Sequence, residues 1–256
     1  MNIILLENNE LCNDCAVLSD RRAEHVVKVL RSDRGDRLTV GIINGKIGYG
    51  IIKEISRKKP YHVALHVTLE QPPNPPEPID IMLALPRPVV FKRVIGQLTA
   101  LGVNHVYIVN AAKVEKSYWE SSVILDNGWK QYMLAGLEQA VDTRLVEFSF
   151  HRGFKPFVLN TLPEICSNYE QMLVAHPGSG KRLHEVFRAG NKRVLVAIGP
   201  EGGWNDYEIG ELLKKGFTEF SIGPRILRVE SAVTAVHASV SLMQHAASTG
   251  KNLWLP

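Results

Sequence analysis

Apolar and polar positions along this 256-residue chain follow two different patterns, and the pattern changes near residue 80. Before that point, "RLTVGI" (37–42), "KIGYGIIKEI" (46–55) and "HVALHVTL" (62–69) alternate with a period near two and are rich in β-branched residues. They predict strands, with "NGK" at 44–46 as a turn between the first two. The opening "MNIILLENNE" holds a short apolar run that reads as another buried strand. One helix is expected here, from Asp20 as N-cap to Leu30, ahead of the turn-forming "RSDRGDR". A few strands and one short helix within residues 1–70 suggest a small β-barrel.

Beyond residue 80 short apolar runs alternate with helical patterns. The runs are "IDIMLALP", "HVYIVN", "LVEFSF", "QMLVAH", "RVLVAIG" and "FTEFSIG"; helices are expected over 89–101, 128–140, 155–166, 205–215 and 229–247. This alternation predicts an α/β fold with a mostly parallel sheet covered on both faces. Between the two patterns lies "EQPPNPPEPID", with prolines at 72, 73, 75, 76 and 78. Proline removes backbone donors, so this stretch reads as a semi-rigid linker. The expected division is therefore a module over 1–70, a proline-rich linker over 71–78 and an α/β module over 79–256. In the last helix Val229, Val233, Val236, Val240 and Met243 form one continuous stripe. Core packing and a subunit interface are both open readings of it.

Composition narrows the class without naming it. A 45% hydrophobic and 22% charged chain is that of a soluble globular protein with a real core. No apolar run approaches the roughly 20 residues that span a bilayer, and the N-terminus lacks the features of a signal peptide. Cys12, Cys15 and Cys166 make an odd count that fits a reducing cytoplasm. Cys12 and Cys15 have no second pair, and the nine histidines show no ligand spacing, so no metal site is expected. The net charge of +4 is compatible with nucleic acid. Arg21, Arg22, Lys28, Arg31, Arg34 and Arg37 crowd together, diluted by Glu24, Asp33 and Asp36. They form either a solvated helix face or an edge for RNA phosphates.

The candidate chemistry sits at two strand ends, where open α/β sheets bind ligands. "RVLVAI" breaks into Gly199-Pro200-Glu201-Gly202-Gly203, whose glycines let backbone approach a ligand closely. The helix behind it has its own cap, Asn205 with Glu208, and a stop at Gly216. The second end is Gly223-Pro224 followed by "RILR". Familiar nucleotide motifs fail: "GSGKRL" (178–183) imitates a P-loop, but Ala175 stands at its first glycine and Arg182 at its Ser/Thr. There is no G-x-S-x-G elbow either.

Taken together, "IGPEGG" (198–203) and "IGPRILRVESA" (222–232) resemble the signature of the ribosomal RNA small subunit methyltransferase E family. "EHVVKVLRSDRGD" (24–36) resembles that family's N-terminal block through His25, Val29-Leu30-Arg31 and Gly35-Asp36. The resemblance implies a SPOUT-like trefoil-knotted domain behind a PUA-like small β-barrel, acting as a cytoplasmic homodimer. It implies S-adenosylmethionine as methyl donor and N3 of a uridine in small-subunit ribosomal RNA, alone or in the assembled subunit, as acceptor. Ile198, Gly199, Gly203, Ile222, Gly223, Ile226 and Leu227 would then hold the cofactor. Arg225 or Arg228 would stabilise the uracil anion, and Glu201 or Glu230 would take the proton, although Glu201 could instead cap a neighbouring helix and Arg228 could pair with Glu230. Arg22, His25, Lys28, Arg31, Arg34 and Arg144 are the expected RNA contacts. The chain departs from the family pattern at Ala100, Arg144 and Ser231. Methylation of another RNA site and a non-catalytic ribosome-assembly role are the alternatives.

Overall fold

The computed structural model describes residues 1–188, 190 and 193–248. Two compact units emerge, Met1–Pro75 with Met133–Leu145, and Pro76–Tyr132 with the chain from Val146 onward. The first contains β1 (Ile4–Leu6), β2 (Leu11–Cys12), β3 (Cys15–Leu18), β4 (Arg37–Ile42), β5 (Ile47–Ser56) and β6 (His62–Gln71). They form one mixed sheet in the order β1-β4-β5-β6-β3-β2. Only β1 and β4 pair in parallel; the other pairs are antiparallel.

Side chains alternate across a strand, and the buried set follows: Ala16 and Leu18 from β3, Val63, Leu65 and Val67 from β6. Helix Arg21–His25 starts where Asp20 accepts a hydrogen bond from Arg22 N–H. It runs on through a π-helical turn, Val26–Leu30, and stops at Arg31 in the left-handed region, φ 55°. The opposite side of β1 offers Ile3 and Leu5 to Leu137, with Leu134, Val141 and Leu145 packed around them. Segment 133–145 thus completes this unit, although its place in the chain lies beyond the linker. Glu138, buried, receives both Arg21 Nη atoms, at 3.1 and 2.5 Å, and Thr143 Oγ1 donates to the Gly45 carbonyl at 2.6 Å.

The second unit is built on β7 (Ile79–Ala84), β8 (His105–Val109), β9 (Glu147–His151), β10 (Tyr169–Ala175), β11 (Arg193–Ile198) and β12 (Phe217–Phe220). All pairings are parallel, in the order β12-β10-β11-β7-β8-β9. All six residues of β7 are buried, as a central parallel strand requires. The chain steps outward from β7 through β8 to β9, then returns to build β10, β11 and β12 on the other side. Helices Pro88–Ala100 and Val229–Ser248 pack on each other. Val229, Val233, Val236 and Val240 are buried within the chain itself, so this stripe is core, while Met243 is half-buried. The helix expected over 155–166 is present as a continuous helical run from Phe154 to Ile165, with a π-helical turn at Phe157–Thr161 and a closing 3-10 turn at Cys166–Asn168. Among the described residues no helix is long and apolar enough to cross a membrane, and no metal-ligand cluster occurs.

Candidate active site

Three neighbouring strands, β12, β10 and β11, end at Phe220, Ala175 and Ile198, and their following loops enclose a cleft of about 350 Å³. Both sequence blocks at 198–203 and 222–227 contribute to its wall. All seven residues expected at a cofactor line it: Ile198, Gly199, Gly203, Ile222, Gly223, Ile226 and Leu227. Of the residues expected in catalysis, Glu201 and Arg225 line the cleft, whereas Arg228 and Glu230 are not among its lining residues.

Local physics explains the shape of the 199–204 loop. Gly199 lies under Trp204, whose backbone nitrogen would stand 3.1 Å from an added Cβ and whose Nε1 would stand 3.2 Å from it. Gly203 adopts φ +69°, a conformation that L side chains resist. Glu201 Oε1 accepts from Arg87 N–H at 3.0 Å, at the start of helix Pro88–Ala100. One of its two oxygens is therefore a helix cap. Lys113 Nζ donates to the Gly202 carbonyl at 2.7 Å. Glu208 is 2% exposed and ties two loops together. Its Oε1 accepts from Ala112 N–H at 2.7 Å and its Oε2 from Asn205 N–H at 3.0 Å. The expected Asn205/Glu208 capping box is present.

The far wall is different in kind. Residues 224–228 are all exposed, Ile226 at 83%. Large apolar side chains held in water on one loop mark a contact surface for a ligand. Trp204 is buried, and its Nε1 has no hydrogen-bond partner. A buried donor without a partner costs about 1–3 kcal/mol, so a ligand acceptor reaching it would remove that cost. Lining residues outside the sequence expectation include Lys113, His176, Trp204 and Ser221. Gly178 lines the cleft too, from the rejected P-loop imitation. The signal was available, since "QMLVAHPGSG" is also a strand ending in proline and glycine.

The expected RNA contacts all belong to the first unit. Lys28, Arg31 and Arg34 are exposed, and Lys28 pairs with Glu24 at 2.5 Å. Arg22 is committed inside the protein: Glu10 and Asp20 hold its guanidinium, and Nη1 donates to the Leu5 carbonyl at 2.6 Å. Those carboxylates hold its guanidinium firmly protonated. His25 is half-buried with Nε2 unpartnered, and Arg144 Nε donates to the Asn74 carbonyl at 2.9 Å.

A parallel α/β unit with glycine loops around a strand-end cleft defines a small-ligand-binding enzyme class. Residues 73–241 match the model of the RNA methyltransferase domain family. The chain is 30% identical to the ribosomal RNA small subunit methyltransferase E of Treponema pallidum (strain Nichols), over 96% of this chain and 92% of that one. It is 28% identical to ribosomal RNA small subunit methyltransferase E 1 of Borreliella burgdorferi, over 92% and 95%. The chain belongs to the ribosomal RNA small subunit methyltransferase E family. Its fold is shared by the corresponding Neisseria gonorrhoeae enzyme, solved with S-adenosylmethionine (TM-score 0.75, 18% identity, 95% of this chain and 98% of that one). A putative Legionella pneumophila methyltransferase with the same bound cofactor aligns equally well (TM-score 0.75, 22% identity, 94% and 97%).

Proposed function

We propose that this protein transfers the methyl group of S-adenosylmethionine to N3 of a uridine in small-subunit ribosomal RNA. The observation that carries the reading is the meeting of loops 198–203 and 222–227 in one recess at parallel strand ends. The recess suits the cofactor: Ile198, Ile222, Ile226 and Leu227 offer apolar walls to an adenosyl group. Gly199, Gly203 and Gly223 open backbone groups to its polar edges, and Trp204 Nε1 is a buried donor in need of an acceptor. When bound, the cofactor supplies an electrophilic methyl group on a sulfonium.

The protein's own work is done on the uridine. N3 becomes a nucleophile when its proton leaves, and the resulting charge spreads to the flanking carbonyl oxygens. Arg225, exposed at the cleft, stabilises that charge by charge-assisted hydrogen bonds. With Glu201 Oε1 held by the Arg87 N–H, its second oxygen is the one available to accept the N3 proton. Arg228 and Glu230, at the start of helix Val229–Ser248, support the 222–227 loop from behind. The same reading makes the second unit a trefoil-knotted SPOUT domain and the first a PUA-like barrel that holds RNA through His25, Lys28, Arg31, Arg34 and Arg144. Arg22 serves that barrel by fixing its helix. The active form is a homodimer working in the cytoplasm.

The test is methyl transfer from labelled S-adenosylmethionine to small subunits that lack this modification, followed by nucleoside mass spectrometry. The expected product is 3-methyluridine. A different methylated nucleoside would move the reading to another RNA site, and cofactor binding without any product would overturn it. Arg225→Ala is expected to slow transfer by about 100-fold while leaving cofactor affinity unchanged.

A further inference from the structure

Resting on that RNA-methylation reading, we propose that the substrate RNA strand crosses the carboxyl ends of β7, β8 and β9, its phosphates held by Arg87, Lys116 and Arg152 beside the cleft. The loops after the six parallel strands are 85–88, 110–121, 152–156, 176–182, 199–205 and 222–228. They hold nine Lys/Arg and three Asp/Glu, a surplus of six that exceeds the +4 of the whole chain. The rest of the protein is therefore net acidic, and a polyanion is drawn to this one end of the sheet.

The cleft divides that end unequally. On the β12 side the 222–228 loop turns its apolar residues to the cleft, which suits a cofactor and a base more than a charged backbone. On the β7–β9 side the loops form a polar rim joined to the cleft mouth. Arg87 N–H reaches Glu201, Lys113 Nζ reaches the Gly202 carbonyl, and Phe154 packs on Trp204 with ring centroids 5.9 Å apart. A strand lying on this rim is continuous with the place where the reacting base must enter.

Arg87, Lys116 and Arg152 are exposed, and none makes an ion pair with a carboxylate of the described residues. Arg152 is positioned by an aromatic neighbour, and Arg87 lies near Tyr118, whose hydroxyl donates to Glu115 at 2.9 Å. The Arg152 guanidinium lies over the Trp119 ring, 5.5 Å from its centroid, and Nη2 reaches the Trp119 carbonyl at 3.4 Å. A planar guanidinium fixed on one side keeps donors free on the other, the arrangement that binds phosphate in a forked geometry.

The decisive variant is R87Q/K116Q/R152Q, compared with wild type in binding an unmodified small-subunit rRNA transcript over a range of KCl concentrations. Removing three phosphate contacts should reduce the slope of log K against log[KCl] by about 2. RNA KM should rise while kcat at saturating RNA, S-adenosylmethionine affinity and Tm stay at the wild-type values. The single variant Lys116→Gln, which removes an exposed side chain, should reduce the slope by about 0.7, so the result does not hang on the folding of the triple variant. Equal affinity and slope in wild type and both variants would overturn the rim. A wild-type protein that yields no methylated RNA would sink the functional reading separately, because the salt slopes decide the rim whether or not transfer occurs.

Discussion

Around Asp80, at the amino end of the parallel sheet, buried polar groups meet one another; at the carboxyl end the Trp204 indole is left without a partner. Asp80, 3% exposed on β7, accepts from His105 N–H at 2.8 Å, from the Tyr169 hydroxyl at 2.9 Å and from Arg193 Nε at 2.9 Å. His105 Nε2 and His151 Nε2 share the Ser149 hydroxyl, at 2.9 and 3.1 Å. Strands β7, β8, β9, β10 and β11 are all bound into this network. At the other end Trp204 Nε1 has no partner, Gly203 is held at φ +69° and Ile226 stands in water. Around Asp80 the buried polar groups are paired, whereas the cleft holds an unmet donor and a backbone conformation that L side chains resist; other unpartnered buried groups, at Gln97, His237 and Gln244, sit on the packed helices. Functional sites are where a chain tolerates local conflict.

The largest effect is expected at Asp80. Asp80→Ala strips the buried carboxylate from Arg193, Tyr169 and the His105 amide. It should destabilise the fold by about 3 kcal/mol, since removing one partner of a buried pair leaves the other uncompensated. Chemical denaturation checks this, and protein still folded at 20 °C below its Tm should bind cofactor normally. A wild-type midpoint would mean that the network carries no stability.

Gly203→Ala probes the opposite end. An added Cβ meets nothing within 4 Å, so the change acts through the positive φ alone. The expected stability cost is about 1 kcal/mol, with a clear loss of S-adenosylmethionine affinity by calorimetry. Unaltered affinity would remove the loop's backbone from cofactor binding.

The smallest effect is a pH dependence from His105 and His151, joined through Ser149. Burial lowers the His105 and His151 pKa below the usual 6.5, and the charge of His105 lowers His151 further. The unfolded chain then takes up these protons before the folded one does. The stability these histidines contribute is present above pH 6.5 and is lost as pH falls through their folded values. Tm should decline from pH 7 to pH 5, and His151→Gln should flatten the decline; a Tm independent of pH over that range would refute the assignment.

Much of this was readable in advance because it is local. Asp20 and Asn205 cap their helices through neighbours two and three residues away, and the apolar runs of the second unit became its strands. The helix expected over 155–166 is there, but its π turn at Phe157–Thr161, just after Pro156, was not foreseen, because periodicity counts apolar positions and ignores lost donors. A charge cluster in sequence does not reveal that Glu10 and Asp20 hold the guanidinium of Arg22, one of the expected RNA contacts.

The alternation of strands and helices and the two glycine loops were legible along the chain, since each depends on residues within a few positions of one another. Only the tertiary structure decided that Met133–Leu145 completes the first unit, that Glu201 is half engaged with Arg87, and that Lys113 and Glu208 brace the cleft. These partners are separated by 114, 89 and 96 residues in the three loop contacts. Such contacts are chosen by the packing of the whole sheet, and no local period records them.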